Sequence, residues 1–447
     1  MHTNLTNKKY FFICAFLTLK LNKMLNILKK IIPKKIFIFF QPYYHFLLAL
    51  FGAIKYGFPS KKMVVIGITG TKGKTTTTEI VNAIFEEAGY KTALASTLRF
   101  KIGDKEERNL FKMTMPGRFF LQNFLKRSLD AGCTHVVMEM TSEGSKQFRH
   151  RFIYPNVLIF TNLSPEHIES HGSYENYREA KLNIARELTK KVKKDTCVIA
   201  NIDDKEGEKF LEVSADHKIP YSFKDATSIK SDENGSIFQI GKVVIHSKLP
   251  GLFNVSNMLG AIACAKFFGI KDETIKKGLE NMEFVRGRME KIGVGQNFEV
   301  VVDYAHTPDS LKAIYETYKS HKTICVLGNT GGGRDTWKRP EMGKIADEYC
   351  DHIILTNEDP YDEDPIKIVE DIKKGIKNKP TEIIMDRRTA IASALTKAEA
   401  VEASNKVAVL ITGKGTDPYI MEANGKKTPW DDADVAREEL KKVLGNS

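Results

Sequence analysis

The stretch MVVIGITGTKGKTT, residues 63–76, decides the fold. Met63 to Ile68 is apolar apart from Gly67 and predicts a buried strand. Gly70-Thr71-Lys72-Gly73 follows as a glycine turn, and beyond it Ile80, Val81, Ile84, Phe85 and Ala88 recur at helical spacing. Strand, glycine turn and helix N-terminus together form an anion cradle, because backbone N–H groups and the positive end of the helix dipole converge on phosphate. Lys74 is placed to reach the β- and γ-phosphates and Thr75 to hold Mg²⁺. Ile68 stands where GxxxxGK[ST] has its first glycine, so the loop is a compact variant. A glycine turn that binds nothing is the bland alternative. The reading adopted is an ATP site formed by Gly70, Thr71, Lys72, Gly73, Lys74 and Thr75.

A chain of 447 residues accommodates two or three domains, and 42% hydrophobic with 28% charged residues is a soluble globular composition. The net charge of +12 is local: residues 1–62 hold eleven lysines with no acidic residue or arginine, and the remainder is close to neutral. This excess points to an anionic membrane surface rather than to nucleic acid. The six cysteines, at 14, 133, 197, 264, 325 and 350, form no CxxC pair. Neither a zinc site nor a disulfide framework is expected, and a reducing cytoplasm fits.

Within residues 1–60 two apolar stretches stand out, Tyr10–Leu19 and Ile36–Ile54, the second interrupted by Gln41, Pro42 and His45. The first is too short to span a bilayer, and Pro42 is expected to break or kink a helix. A lysine-anchored helix pair at the membrane interface is the favoured expectation. A helix over Tyr43–Tyr56 packed on the first domain, or a true span, are the alternatives.

Residues 61–285 alternate strands with helices, which predicts a parallel sheet with ligands at the carboxyl ends of its strands. THVVMEM ends by presenting Glu139, and NVLIFTNL leads into the loop carrying His167. Beside a phosphate loop these two are candidate ligands for a hard cation. Residues 286–447 read as a second α/β unit, with strands at Glu299–Val302, Thr323–Leu327, His352–Thr356, Glu382–Met385 and Val407–Thr412. The expected architecture is therefore α/β: a P-loop-containing parallel-sheet central domain followed by a Rossmann-like C-terminal domain.

GITGTKGKTTT, EMTSEG and FTNLSPEHIESHGSYENYREAK, followed in order by LPGLFNVSNMLGAIA, VRGRME, VVDYAHTPDSL, GGGRDTWKRPEMG, TNEDPYDEDP and ITGKGTDPY, resemble the Mur ligase family of ATP-dependent amide-bond ligases. The resemblance covers about residues 60–440 and is strongest to the MurE type, which adds the third residue of the peptidoglycan stem peptide. It implies that Lys74 binds ATP phosphates and that Thr75, Glu139, His167 and Lys181 serve two Mg²⁺ ions, Lys181 as a carbamylated lysine. It further implies that Asn254 and Asn257 face the adenine, and that Arg288, Asp303 and His306 close on the nucleotide from the C-terminal domain. Thr114, Ser142, Gln147 and Arg149 correspond to contacts with the UDP-muramoyl peptide, and Asp359 and Asp417 to the amino-acid pocket. Lys74, Lys181, His167 and Arg288 would carry the catalysis. The enzyme expected is a monomer acting on small molecules, without nucleic acid, in the cytoplasm, and the lysine-rich composition of residues 1–60 adds the expectation of peripheral membrane contact.

Departures are specific. Met115 replaces a threonine, Glu143 a histidine, and Tyr361 the arginine that pairs with the distal carboxylate of diaminopimelate in relatives selecting it. Tyrosine cannot form that bidentate pair, so lysine or another amino acid lacking a distal carboxylate is expected, its ammonium met by Asp359, Glu363 or Asp364. The segment before the P-loop is too short for the usual UDP-binding domain. A ligase acting on a lipid-linked or folate-like acceptor, and a non-catalytic nucleotide-binding protein at the membrane, therefore remain as alternatives.

Overall fold

The computed structural model describes residues 34–166, 168–333, 335–401 and 406–445, with side chains from residue 39 onward. The expected Tyr10–Leu19 stretch and His167 lie outside the described residues.

The central domain is built on eight strands, β1 Val64–Thr69, β2 Thr92–Ala95, β3 Arg99–Ile102, β4 Lys105–Arg108, β5 His135–Glu139, β6 Val157–Phe160, β7 Cys197–Asn201 and β8 His217–Tyr221. Their order is β4-β3-β2-β5-β1-β6-β7-β8. The six from β2 to β8 are parallel, while β3 and β4 fold back antiparallel at one edge. Both faces are covered. Ile66, Ile68, Val137, Ile159 and Ile199 pack under helices α2 (Lys74–Glu87) and α5 (Leu252–Phe267). Val65, Val136, Met138, Leu158 and Phe160 pack under α3 (Arg118–Asp130) and α4 (Tyr174–Ala185). Alternate residues of each strand thus enter opposite cores, and the strands read as continuous apolar runs.

An antiparallel meander, β9 Thr227–Asp232, β10 Gly235–Ile240 and β11 Val243–Ser247, adds Phe238, Ile240 and Ile245 to the α2/α5 core. The parallel-sheet expectation omits it. Its exposed positions break the apolar pattern that marks the buried strands.

The C-terminal sheet has the order β12-β13-β17-β14-β15-β16, formed by Glu290–Lys291, Glu299–Val302, Val407–Ile411, Lys322–Leu327, His352–Leu355 and Thr381–Ile383. All but β12 run parallel. Helices α6 (Pro308–Thr317) and α7 (Lys338–Tyr349) cover one face, and α8 (Arg387–Glu399) and α9 (Asp432–Val443) the other. A hairpin of β18 (Tyr419–Met421) and β19 (Lys427–Pro429) follows β17.

Two expectations need correction. Helix α1 runs unbroken from Lys34 to Tyr56 through Pro42 and packs on α3. Pro42 is exposed, so water can satisfy the carbonyl that proline leaves without a partner. Among the described residues no helix is long and apolar enough to cross a membrane. Second, Cys325 and Cys350 form a disulfide, against the expectation of none. The parallel pairing of β14 with β15 brings the middle of one strand beside the approach to the next, with Cα atoms 6.1 Å apart, although 25 residues separate the two cysteines. Cys133, Cys197 and Cys264 are free and buried.

Candidate active site

The glycine turn sits at the carboxyl end of β1 and is clamped by the end of β6. Thr161 Oγ1 donates to Lys72 O at 2.7 Å, and Lys72 N donates to Asn162 Oδ1 at 2.9 Å. Gly70 and Gly73 are required by space. A Cβ on Gly70 would lie 1.9 Å from Thr161 Oγ1, and one on Gly73, where φ is +78°, would lie 2.2 Å from Asn257 Oδ1. Asn257 Nδ2 donates to Asn254 Oδ1 at 3.2 Å, so α5 lays both asparagines against the cradle.

Lys74 Nζ folds back to donate to Gly70 O at 3.0 Å and Thr71 O at 2.8 Å. The carbonyl oxygens hold the ammonium by the charge–dipole attraction that phosphate oxygens would offer more strongly. Lys181, on α4 and only 1% exposed, donates to the same Gly70 O at 2.6 Å. Two lysines therefore share one carbonyl. Burial and the neighbouring Lys74 hold Lys181 well below the usual lysine range, opposed by Glu166. Burial also lowers Lys74, against the carboxylates of Glu139 and Glu166. Tyr177, one turn before Lys181, meets Thr71 Oγ1 at 2.9 Å.

Glu139, at the end of β5, is buried and accepts from Thr97 N at 2.6 Å and Thr97 Oγ1 at 3.0 Å. Thr97 Oγ1 also meets Thr114 Oγ1 at 2.8 Å. The residues fit ATP, since the glycine cradle and Lys74 are shaped for phosphate. The donor set fits a divalent cation on one condition. An ammonium at Lys181 repels a cation, whereas a carbamate there would ligate one.

From the C-terminal domain Arg288 lies over the Tyr304 ring at 4.6 Å and donates to Thr75 Oγ1 at 3.4 Å. Asp303 accepts from Met289 N at 2.7 Å and Ala305 N at 2.6 Å, so it shapes the loops that carry Arg288 and His306. His306 Nδ1 meets Tyr304 O at 2.8 Å, and its Nε2 meets Glu166 Oε1 of the central domain at 3.1 Å.

Of the residues expected to face the acceptor, Arg149 donates to Met115 O and, at 2.7 Å, to Gln147 Oε1. Ser142 is buried in the first turn of the short helix Ser142–Lys146. Arg118, which sequence reasoning missed, donates to Gln147 O, and burial beside Arg149 pushes its guanidinium down to about 10. A basic residue just after TMPG was the available signal.

Asp359 and Asp417, expected in the amino-acid pocket, lie in a four-charge cluster with Lys112 and Lys414. Lys414, fully buried, donates to Asp359 Oδ1 at 2.9 Å and Asp417 Oδ2 at 3.1 Å. Lys112 of the central domain also pairs with Asp359, and with Asp417 at 3.2 Å. Met421 N donates to Asp359 Oδ1 at 2.7 Å. Burial opposes the charge on Lys414, but Asp417 and Asp359 raise it above the usual lysine range; burial and repulsion from Lys414 lower Lys112. Glu363 is taken up by Arg339 at 2.7 Å, and Asp364 accepts from Ile366 N, so neither joins the cluster. Lys414 lay in the quoted GKGTD. Lys112 gave no signal, because its partners belong to the other domain.

Residues 68–265 match the Mur ligase middle domain, and residues 287–415 the Mur ligase, glutamate ligase domain. The UDP-N-acetylmuramoyl-L-alanyl-D-glutamate–2,6-diaminopimelate ligase of Syntrophomonas wolfei is 37% identical over 409 residues, covering 88% of this chain and 81% of the relative. The same-named ligase of Aquifex aeolicus is 38% identical, covering 86% and 79%. A solved structure of a ligase of that name aligns with a TM-score of 0.58 at 30% identity, covering 86% of this chain and 79% of the other. Folylpolyglutamate synthase of Mycobacterium tuberculosis aligns at 0.65 with 17% identity, covering 90% and 94%, and shares the fold.

Proposed function

The chain belongs to the Mur ligase family, and from that premise we propose that it joins an amino acid to UDP-N-acetylmuramoyl-L-alanyl-D-glutamate. It is an ATP-dependent amide-bond ligase. The observation that carries this reading is the convergence of Lys74 and Lys181 on the glycine cradle at the carboxyl end of β1.

In the proposed reaction the acceptor carboxylate attacks the γ-phosphorus of ATP, ADP leaves, and an acyl phosphate results. The amine of the incoming amino acid then attacks the acyl carbon, phosphate leaves, and the amine gives up a proton. Lys74 neutralises charge on the transferring phosphoryl group once it exchanges its carbonyl partners for phosphate oxygens. Arg288, brought in by the C-terminal domain, adds a second cation beside Thr75. Mg²⁺, when bound, supplies further charge neutralisation, with Thr75, Glu139, His167 and a carbamylated Lys181 as its proposed donors. Arg149, Gln147, Ser142 and Thr114 face the acceptor peptide in this reading. Asn254, Asn257 and His306 border the nucleotide. A cytoplasmic monomer, apposed to the inner face of the membrane, suits these substrates.

The amino acid is the point at which the chain parts from the relatives named for diaminopimelate. Tyr361 offers no cation for a distal carboxylate, whereas Asp359 and Asp417 already hold a lysine ammonium. We assign a distal ammonium without a carboxylate, as in lysine.

Phosphate release from ATP and Mg²⁺ with this acceptor, across a panel of amino acids, tests both levels. Release that needs acceptor and lysine together is expected. Diaminopimelate used as well as lysine would overturn the amino-acid assignment alone. ATP binding with no turnover on any acceptor would overturn the ligase reading and favour a nucleotide-binding scaffold.

A further inference from the structure

Helix α1 presents two unlike faces. Ala49 and Ala53 are buried, and a Cβ on Gly52 would sit 3.7 Å from Arg118 O, so small residues seat this side closely on α3. Phe39, Phe40, Tyr43, Leu47, Phe51 and Ile54 are between 47% and 64% exposed. At 3.6 residues per turn these six fall within an arc of about 120°, opposite the alanines. Such a continuous aromatic and aliphatic stripe is a surface that binds something.

We propose that the outer face of α1 docks on an anionic lipid bilayer, with the stripe at the headgroup–acyl boundary and lysines reaching the phosphates. Charge complementarity selects this occupant. Lys55, Lys61 and Lys62 are exposed at one end of the helix, eight further lysines precede or open it, and residues 1–62 contain no carboxylate. Aromatic anchors flanked by lysine fit an interfacial helix bound by apolar burial and attraction to anionic headgroups. A second copy of the chain would instead bring two lysine-rich segments together without a counter-charge. Docking rests on this surface alone and is independent of the ligase reading. It would also hold Arg118, the first residue of α3, and the Thr114 loop before it near the membrane.

The test is co-sedimentation of the full chain with vesicles of phosphatidylglycerol and phosphatidylcholine in equal parts, with pure phosphatidylcholine as control. Binding to the mixed vesicles is expected, falling at least about tenfold in roughly 0.5 M salt. It is expected to fall at least about tenfold in the triple variant Phe40→Ser, Tyr43→Ser, Leu47→Ser, whose melting midpoint and ATP binding stay at the parent's values. No binding to mixed vesicles, or equal binding by the triple variant, would overturn the proposal. So would a parent dimer that the triple variant converts to monomer, which gives the face to a second copy. A melting midpoint lowered by the triple variant would give it to residues 1–33 of the same chain.

Discussion

At the scale of single residues, the site is a problem of too much positive charge in too little water. Gly70 O accepts from both lysines, at 2.6 Å and 3.0 Å, with the carboxylates of Glu139 and Glu166 opposing the positive charge. Burial and Lys74 hold Lys181 well below the usual lysine range, and the proposed carbamate would remove its positive charge. Lys181→Ala is expected to lower turnover about 10²–10³-fold, with partial rescue by short carboxylic acids. Rescue by a neutral amide of the same size would count against a carbamate. Gly73→Ala places a methyl against Asn257 in a left-handed backbone, and nucleotide affinity is expected to fall about tenfold or more with little change in melting. Isothermal titration with ADP measures it.

At the scale of elements, two contacts decide how the sheets hold. His135 on β5 lies among Tyr90, Phe85 and Phe268, and burial pushes its imidazole down to about 4. The folded chain therefore resists a proton that the unfolded chain accepts near 6.5. This contribution is neutral above 6.5, and stability falls as pH drops from there toward 4. His135→Gln is expected to remove about 1–2 kcal/mol of that acid sensitivity, read from urea unfolding at pH 7 and pH 5. In the C-terminal domain Arg387, at the start of α8, forms a bidentate pair with Asp432 at the start of α9, at 2.8 Å and 2.7 Å, both fully buried. Asp432→Asn strands a buried guanidinium and is expected to cost about 3–5 kcal/mol in the same assay.

At this scale the sequence is readable where one core decides each residue. The run of Val65, Ile66 and Ile68, the glycine turn and the helix from Lys74 all agree locally, and the structure places them as read. The β9–β11 meander was not legible, because its strands carry as many polar as apolar residues. The pairing of Cys325 with Cys350 follows from which strand neighbours which, and that is a property of topology rather than of spacing. Glu363 and Asp364 looked equivalent to Asp359 in the sequence. Only the positions of Arg339 and the Ile366 amide separate them.

At the scale of the whole molecule, the two domains are drawn together by charge. Lys72 pairs with Asp309 at 3.0 Å, Arg108 with Asp431 at 2.7 Å, and Lys112 reaches Asp359 and Asp417. These pairs flank a narrow crevice bordered by Thr97, Asn109, Arg288, Tyr304, Thr416 and Asp417. Breaking these pairs is expected to let the domains separate. Arg108→Ala with Lys72→Ala is expected to increase the radius of gyration in X-ray scattering, as is high salt. A radius indifferent to both would show that apolar contacts hold the clamp.

Lys112 gives that closure a further meaning. Two ammonium groups and two carboxylates meet in this cluster, so under the proposed assignment a substrate ammonium would enter only as Lys112 departs. Lys112 would then act as a tethered competitor, whose effective concentration is set by a short loop rather than by the cell. The apparent affinity for an amino acid is then an exchange constant. Lys112→Met should lower the Michaelis constant for a cationic amino acid and leave that for a neutral one unchanged.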